Sequence, residues 1–161
     1  MKMDLRWLLF DALVAFSFYW AANLLLWLPW SIDPTLGMVL MLSVAPFLWG
    51  LAVYLCLIRY TGEKLLRGAF YTSLILLGMA VLMDYLFFGL IRGAMEELYH
   101  PTTFYGYGFL VALPYLGWFI FRKSIEHKKR EAGQKDFIRV GSFGLLSFLL
   151  VMALAILNVG I

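Results

Sequence analysis

Five long runs of apolar residues dominate the sequence, and short polar stretches separate them. A helix that crosses a membrane needs roughly 20 mostly apolar residues, and each run has about this length. The runs lack the alternation of apolar and polar residues that the strands of a membrane β-barrel require. The pattern therefore predicts one domain, residues 1–161, of an all-α, polytopic integral membrane protein. The five predicted transmembrane helices are approximately Trp7–Trp30, Gly37–Ile58, Ala69–Ile91, Tyr105–Phe121 and Val140–Ile161.

Composition agrees with this pattern and excludes several kinds of chemistry. The chain is 63% hydrophobic and 14% charged, whereas a soluble domain is about 45–50% apolar and about 25% charged. Its single cysteine, Cys56, lies in an apolar run, so an internal disulfide and a thiolate metal cluster are excluded. No Gly-x-Ser-x-Gly, His-Glu-x-x-His or P-loop signature occurs. We therefore expect no cofactor and no metal, and leave open whether the chain is an enzyme.

Basic residues lie on alternate connections between the predicted helices. Twelve of the 13 lysines and arginines precede the first run or lie between runs two and three or runs four and five. The positive-inside rule then predicts a cell membrane protein with a cytoplasmic N-terminus and an extracytoplasmic C-terminus. Because this asymmetry accounts for the net charge of +3, we expect no nucleic-acid partner. The cluster at Lys128, Lys129 and Arg130 predicts contact with anionic lipid headgroups.

The first two predicted helices resemble the next two in several spacings. Arg6 and Asn23 are 17 residues apart, as are Arg67 and Asp84. The motifs DPT and VAPFLWG follow in the first pair, and HPT and VALPYLGW follow in the second. A duplication would make these pairs a parallel tandem repeat of a two-helix hairpin, with the fifth helix as an addition. Chance similarity between apolar sequences is the alternative.

Asp84 is a carboxylate inside the third apolar run, at the position that Asn23 holds in the first. A charge near the bilayer centre costs at least ~2.5–3.5 kcal/mol, so we expect Asp84 to face the bundle interior. Ser73 lies 11 residues earlier on the same helical face. These three residues either fix helix packing or form a ligand, ion or proton site in the outer half of the bundle. Asp11, near the inner edge of the first run, is expected at the water interface.

The segment MEELYHPTTFYGYG, between runs three and four, is rich in reactive side chains. If it is helical, Glu96 and Glu97 precede His100 by four and three residues and share a face with it. Such spacing occurs at metal sites in four-helix bundles, but those sites repeat the motif and need three or four ligands. The three residues are therefore weak candidates for acid–base catalysis, and a solvated surface role is the alternative.

Three functions from different classes fit these observations. The first is a small transport, ligand-binding or lipid-binding membrane protein with a site at Asn23, Ser73 and Asp84, acting as a homo-oligomer or as a subunit. The second is an accessory subunit that contributes helices to a larger membrane complex and binds no ligand itself. The third is a membrane enzyme that acts on lipid-linked substrates at the outer face through the glutamates and histidine of the loop.

Overall fold

The computed structural model describes residues 4–157, except for the side chain of Glu97. This part of the chain is almost entirely helical and contains no strand. Its helices are α1 (Leu5–Ile32), α2 (Pro34–Ile58), α3 (Leu65–Ile91), α4 (Met95–Leu98), α5 (Pro101–Lys128) and α6 (Gln134–Ile156). All of these except α4 are long and apolar enough to cross a membrane. The all-α class and the five long apolar helices are thus confirmed; residues 158–161 of the last predicted span lie outside the described residues.

Three of the long helices consist of shorter segments. In α1, the π-helical segment Asn23–Trp27 joins the α-helical segments Leu5–Ala22 and Leu28–Ile32. The segments of α2 are Pro34–Ser43 and Ala45–Ile58, and those of α3 are α-helical Leu65–Asp84 and π-helical Tyr85–Ile91. The α2 break at Val44 lies two residues before Pro46, whose ring cannot supply an N–H to the preceding turn.

Polar caps extend two helices beyond the apolar runs. Asp33 accepts a hydrogen bond from a backbone N–H in the first turn of α2, and His100 does so at the start of α5. Pro34 and Pro101 follow these caps at the first helical position, where a missing N–H costs no hydrogen bond. These two helices therefore begin before the predicted starts at Gly37 and Tyr105, because hydrophobicity alone does not register capping residues.

Helix α1 lies at the centre of the molecule. It packs against α2, α3 and α6, while α5 packs against α3 and α2. The helices α1, α2, α3 and α5 therefore form a four-helix bundle, and α6 lies beside α1. Many side chains that point away from the bundle are large and apolar, among them Leu74, Phe119 and Leu146. Such an exterior is suited to lipid, in which the backbone polar groups must be satisfied within the helices.

The contact between α1 and α6 is a close approach at a glycine. A Cβ atom added to Gly144 would lie 2.8 Å from the Cα atom of Ser17. The Ser17 hydroxyl donates a hydrogen bond of 3.0 Å to the carbonyl oxygen of Val140 on α6. Small residues that admit a close backbone approach, together with hydroxyl bonds between helices, are typical of helix contacts in membranes.

One end of the bundle, which we call the basic end, comprises the start of α1 and the connections 59–64 and 129–133. Here the buried Arg59 donates a 2.7 Å hydrogen bond to Asp136, which also pairs with the exposed Arg130 at 3.3 Å. The Lys129 ammonium donates to the carbonyl oxygen of Gly62 at 3.1 Å. Two members of the predicted headgroup cluster thus have contacts within the protein, and their contact with lipid stays a prediction.

Asp11 lies in the protein interior, so its expected position at the water interface was wrong. Its side chain is fully buried, and the Thr72 hydroxyl on α3 donates a 2.7 Å hydrogen bond to it. The sequence gives the depth of Asp11 along α1 but not the direction of its side chain. Because Asp11 faces α3, the packed helices exclude water from it.

Candidate functional site

A cleft with a volume of about 800 Å³ lies between α1, α2, α3 and α5. It is in the half of the bundle opposite the basic end, which we call the cleft end. The lining includes exposed residues such as Ser31 and Glu96, so the cleft reaches the protein surface there. Its aromatic wall comprises Tyr19, Trp27, Trp30, Trp49, Phe88, Tyr107 and Phe109. The volume is within the range of about 300–1,000 Å³ that small-molecule sites occupy.

Asp84 lies in the wall of this cleft, and two tyrosines hold its carboxylate. The Tyr19 hydroxyl on α1 donates a 2.7 Å hydrogen bond to Oδ1, and the Tyr107 hydroxyl on α5 donates one of 2.7 Å to Oδ2. Because the three residues come from three helices, the two bonds fix the carboxylate relative to the whole bundle. Asp84 therefore faces the bundle, as expected from the cost of exposing a carboxylate to lipid.

Asn23 shares the cleft with Asp84, whereas Ser73 lies elsewhere. The buried Asn23 amide lines the cleft and donates a 3.1 Å hydrogen bond to the carbonyl oxygen of Tyr19, one turn earlier. Ser73 is about 16 Å from Asp84 along α3, at a rise of about 1.5 Å per residue. Its hydroxyl donates a 3.1 Å hydrogen bond to the carbonyl oxygen of Val111 on α5. The structure thus brings two of the three predicted site residues together.

The two helices that carry Asn23 and Asp84 both change to π-helical geometry beside the cleft. The π-helical segment of α1 begins at Asn23, and that of α3 begins at Tyr85, directly after Asp84. The N–H of Leu28 bonds to the carbonyl oxygen of Asn23, five residues earlier. π-Helical turns occur frequently at functional sites. The hydrophobic pattern gave no signal for them, because continuous apolar sequence conceals a change in helical period.

Arg92 forms part of the rim of the cleft. Its guanidinium carbon lies 4.9 Å from the centre of the Trp27 ring and 5.4 Å from that of Phe88. Both distances are within the range of cation–π attraction. Sequence reasoning did not connect Arg92 with the aromatic wall. That connection depends on Trp27, which is 65 residues away in the chain.

The segment from Glu96 to His100 is not one continuous helix, so the condition under which its glutamates and histidine would share a face is not met. The short helix α4 ends at Leu98, and His100 has extended backbone geometry as the cap of α5. The proline after His100 explains this break, because a residue before proline disfavours helical geometry. The His100 ring contacts the Thr102 hydroxyl at 2.8 Å, and the Glu97 side chain lies outside the described part of the structure.

Neither a metal site nor a similarity to known proteins identifies the function of this chain. Within residues 4–157, no group of three or more histidine, cysteine, aspartate or glutamate side chains could hold a metal ion. The five long helices indicate a membrane protein by their length and composition. No protein-family model matches the chain, and searches of curated proteins and of solved structures found no match either.

Proposed function

We propose that this chain is a small multi-pass membrane protein that binds a small molecule or a lipid in the cleft around Asp84. The observation that carries this proposal is an aromatic cleft of about 800 Å³ with a carboxylate fixed in its wall by two tyrosines. Ligand sites are commonly concave and mostly apolar, with a few well-placed polar groups. Carboxylates within membrane spans often mark the pathway of a substrate or an ion.

The cleft favours binding over a purely structural role for Asp84. Two hydrogen bonds to tyrosines would suffice to fix the packing of three helices, and such bonds need no open volume beside them. An accessory subunit that binds no ligand would have no use for a cleft of this size. The enzyme alternative is weaker, because the helix that carries Glu96 ends at Leu98 and does not continue to His100.

Binding within this chain is also better supported than passage through it. At the basic end, the side chains of Trp7, Phe10 and Leu57 are fully or almost fully buried and fill the bundle interior. A substrate could cross this region only if the helices separated or if a second subunit supplied part of the path. Transport therefore requires a homo-oligomer, a partner subunit or a second conformation.

The tandem repeat and the orientation in the membrane belong to the same proposal. In both hairpins, the π-helical segment begins within one residue of the matched pair Asn23 and Asp84, which supports a parallel duplication.

The distribution of basic residues supports a cytoplasmic N-terminus. A reporter that is active only outside the cytoplasm should work when it is fused after Ile161 and be silent after Arg130. The reverse pattern would contradict this orientation.

Two glycines of α5 provide a matched test of binding in the cleft. Gly106 lines the cleft and Gly108 lies on the exposed side of the helix; a Cβ atom at either position would have no other atom within 4 Å. Gly106→Phe should therefore narrow the cleft, with no clash at its Cβ atom, and Gly108→Phe should leave the cleft open. Native mass spectrometry after purification in mild detergent should detect a retained molecule in the wild type and in Gly108→Phe.

Gly106→Phe should reduce the retained fraction to about a tenth, because the phenyl ring would occupy the space of the ligand. Both variants should elute from a sizing column as the wild type does, which separates loss of binding from loss of fold. Equal retention by all three proteins would show that the molecule binds elsewhere. Absence of any retained molecule from the wild type would also contradict the proposal.

A further inference from the structure

We infer that the ligand of this cleft is a hydrophobic organic cation, with its charged centre near Asp84 and its apolar body against the aromatic wall. This inference rests on the proposed function and names the chemical class that the site selects. It follows from the free acceptor capacity of the carboxylate, the aromatic rings around it, and the position of Arg92 at the rim.

The carboxylate of Asp84 can accept more hydrogen bonds than the tyrosines supply. An ionised carboxylate has about four acceptor positions, and Tyr19 and Tyr107 each donate to one of its oxygens. The ion pairs described for this chain, Arg59–Asp136 and Arg130–Asp136, lie at the basic end and do not involve Asp84. Neither pair neutralises Asp84, so an ionised Asp84 would present its negative charge to the cleft, where the surrounding apolar wall would strengthen its attraction for a cation.

The rings around the carboxylate are suited to the same ligand. An aromatic face attracts a cation electrostatically, and this attraction increases when water is excluded. The wall already binds one cationic group of the protein, because Trp27 and Phe88 hold the Arg92 guanidinium at 4.9 and 5.4 Å. Arg92 is eight residues beyond Asp84, at the far end of the π-helical segment Tyr85–Ile91. Tyr19 and Tyr107 remain beside the carboxylate, so aromatic rings and a negative charge are available together.

An anionic ligand fits this arrangement less well. It would meet the carboxylate of Asp84 in a partly dehydrated wall, where repulsion between like charges is stronger than in water. Its only cationic contact in the described lining would be Arg92, which already stacks on two rings at the rim. The choice between cation and anion is therefore the point to test.

Tetraphenylphosphonium and tetraphenylborate provide a suitable pair of probes, because they have nearly the same size and shape but opposite charge. Equilibrium dialysis against the purified protein in detergent should show saturable one-site binding of tetraphenylphosphonium. Tetraphenylborate should bind at least about tenfold more weakly, because its charge is repelled by the carboxylate. Gly106→Phe should abolish binding of the cation, whereas Gly108→Phe should bind it as the wild type does.

Substitutions of the carboxylate then test the role of its charge. Asp84→Asn should weaken cation binding at least about tenfold, while Asp84→Glu, which keeps the charge, should stay within about threefold of the wild type. The control is Asp33→Asn, which removes a negative charge at the same end of the bundle. Asparagine and aspartate cap helices equally well, so this control preserves the start of α2. It should bind the cation with unchanged affinity.

The outcomes separate this inference from the proposed function. Tighter binding of tetraphenylborate, or equal binding of the cation by Asp84→Asn and the wild type, would overturn the inference. If a naturally retained molecule were still lost in Gly106→Phe, ligand binding in the cleft would nevertheless stand. If the two glycine variants behaved alike towards both the probes and the retained molecule, both the inference and the proposed function would fail.

Discussion

The hydrogen bonds from Tyr19 and Tyr107 to Asp84 allow the structural contribution of this carboxylate to be measured directly. Asparagine can preserve both contacts, since its oxygen accepts from one tyrosine and its amide can donate to the hydroxyl oxygen of the other. Leucine has a similar size but can form neither contact. We therefore expect Asp84→Asn to be nearly neutral for stability and Asp84→Leu to be destabilising.

The expected difference follows from the number and kind of bonds. Measured hydrogen bonds between membrane helices average ~0.6 kcal/mol and reach ~1.7 kcal/mol. Asp84 accepts two bonds of 2.7 Å, and one of its donors, Tyr19, is buried. Loss of both bonds should lower the free energy of unfolding by about 1–3 kcal/mol in Asp84→Leu. Asp84→Asn should stay within about 1 kcal/mol of the wild type.

Reversible unfolding in mixed micelles with increasing sodium dodecyl sulfate would measure these values, with the fluorescence of the six tryptophans as the signal. Tyr107→Phe should lower the free energy of unfolding less in the Asp84→Leu variant than in the wild type, because that variant already lacks the carboxylate to which the Tyr107 hydroxyl donates. Equal stability of Asp84→Leu and Asp84→Asn would refute the reasoning. It would mean that the two bonds contribute nothing to the association of the three helices.

Two further substitutions test the packing of the bundle in the same assay. Gly144→Ala should lower the free energy of unfolding by about 1–3 kcal/mol, because its methyl group would overlap the α1 backbone. The control Gly141→Ala should be tolerated, because its added atom would have its nearest contact at 3.7 Å. Equal effects of the two substitutions would contradict the close approach of α1 and α6 at Gly144. Asp136→Ala should lower the free energy of unfolding by about 3 kcal/mol, because it leaves the buried Arg59 without its ion pair. Arg130→Ala should lower it by at most about 1 kcal/mol, because Arg130 is exposed. A larger effect of Arg130→Ala than of Asp136→Ala would contradict the stabilising role of the Arg59–Asp136 pair.

The sequence predicted the features of this fold that depend on solvent. The long helices follow from the length of the apolar runs, and the inward direction of Asp84 follows from the cost of a carboxylate in lipid. Its partners could not be predicted in the same way. Tyr19 is 65 residues from Asp84 in the chain, and aromatic residues are so frequent in this sequence that no pattern singles out two of them. Such pairing depends on how the helices pack, which hydrophobicity does not determine.

Asp11 and the loop that contains Glu96 and His100 show where reasoning from the sequence failed. For Asp11, depth along the helix was taken as exposure to water, but its side chain faces α3 and is fully buried. For His100, a shared face with the glutamates required a helix through residues 96–100, but Pro101 follows and the backbone at His100 is extended. In both cases a one-dimensional argument was applied to a property that depends on direction. Pro101 was a signal in the sequence against helical geometry at His100.

The open volume at the cleft end has a direct origin in side-chain size. Each of the four bundle helices contributes a small residue to the cleft lining, namely Ala22, Ala45, Ala80 and Gly106. At the basic end, large side chains fill the corresponding space. Larger apolar residues at the four small positions would add packing contacts and strengthen the association of the helices. A bundle that served only to hold its helices together would gain from filling this space, so the open cleft favours a protein that receives a ligand.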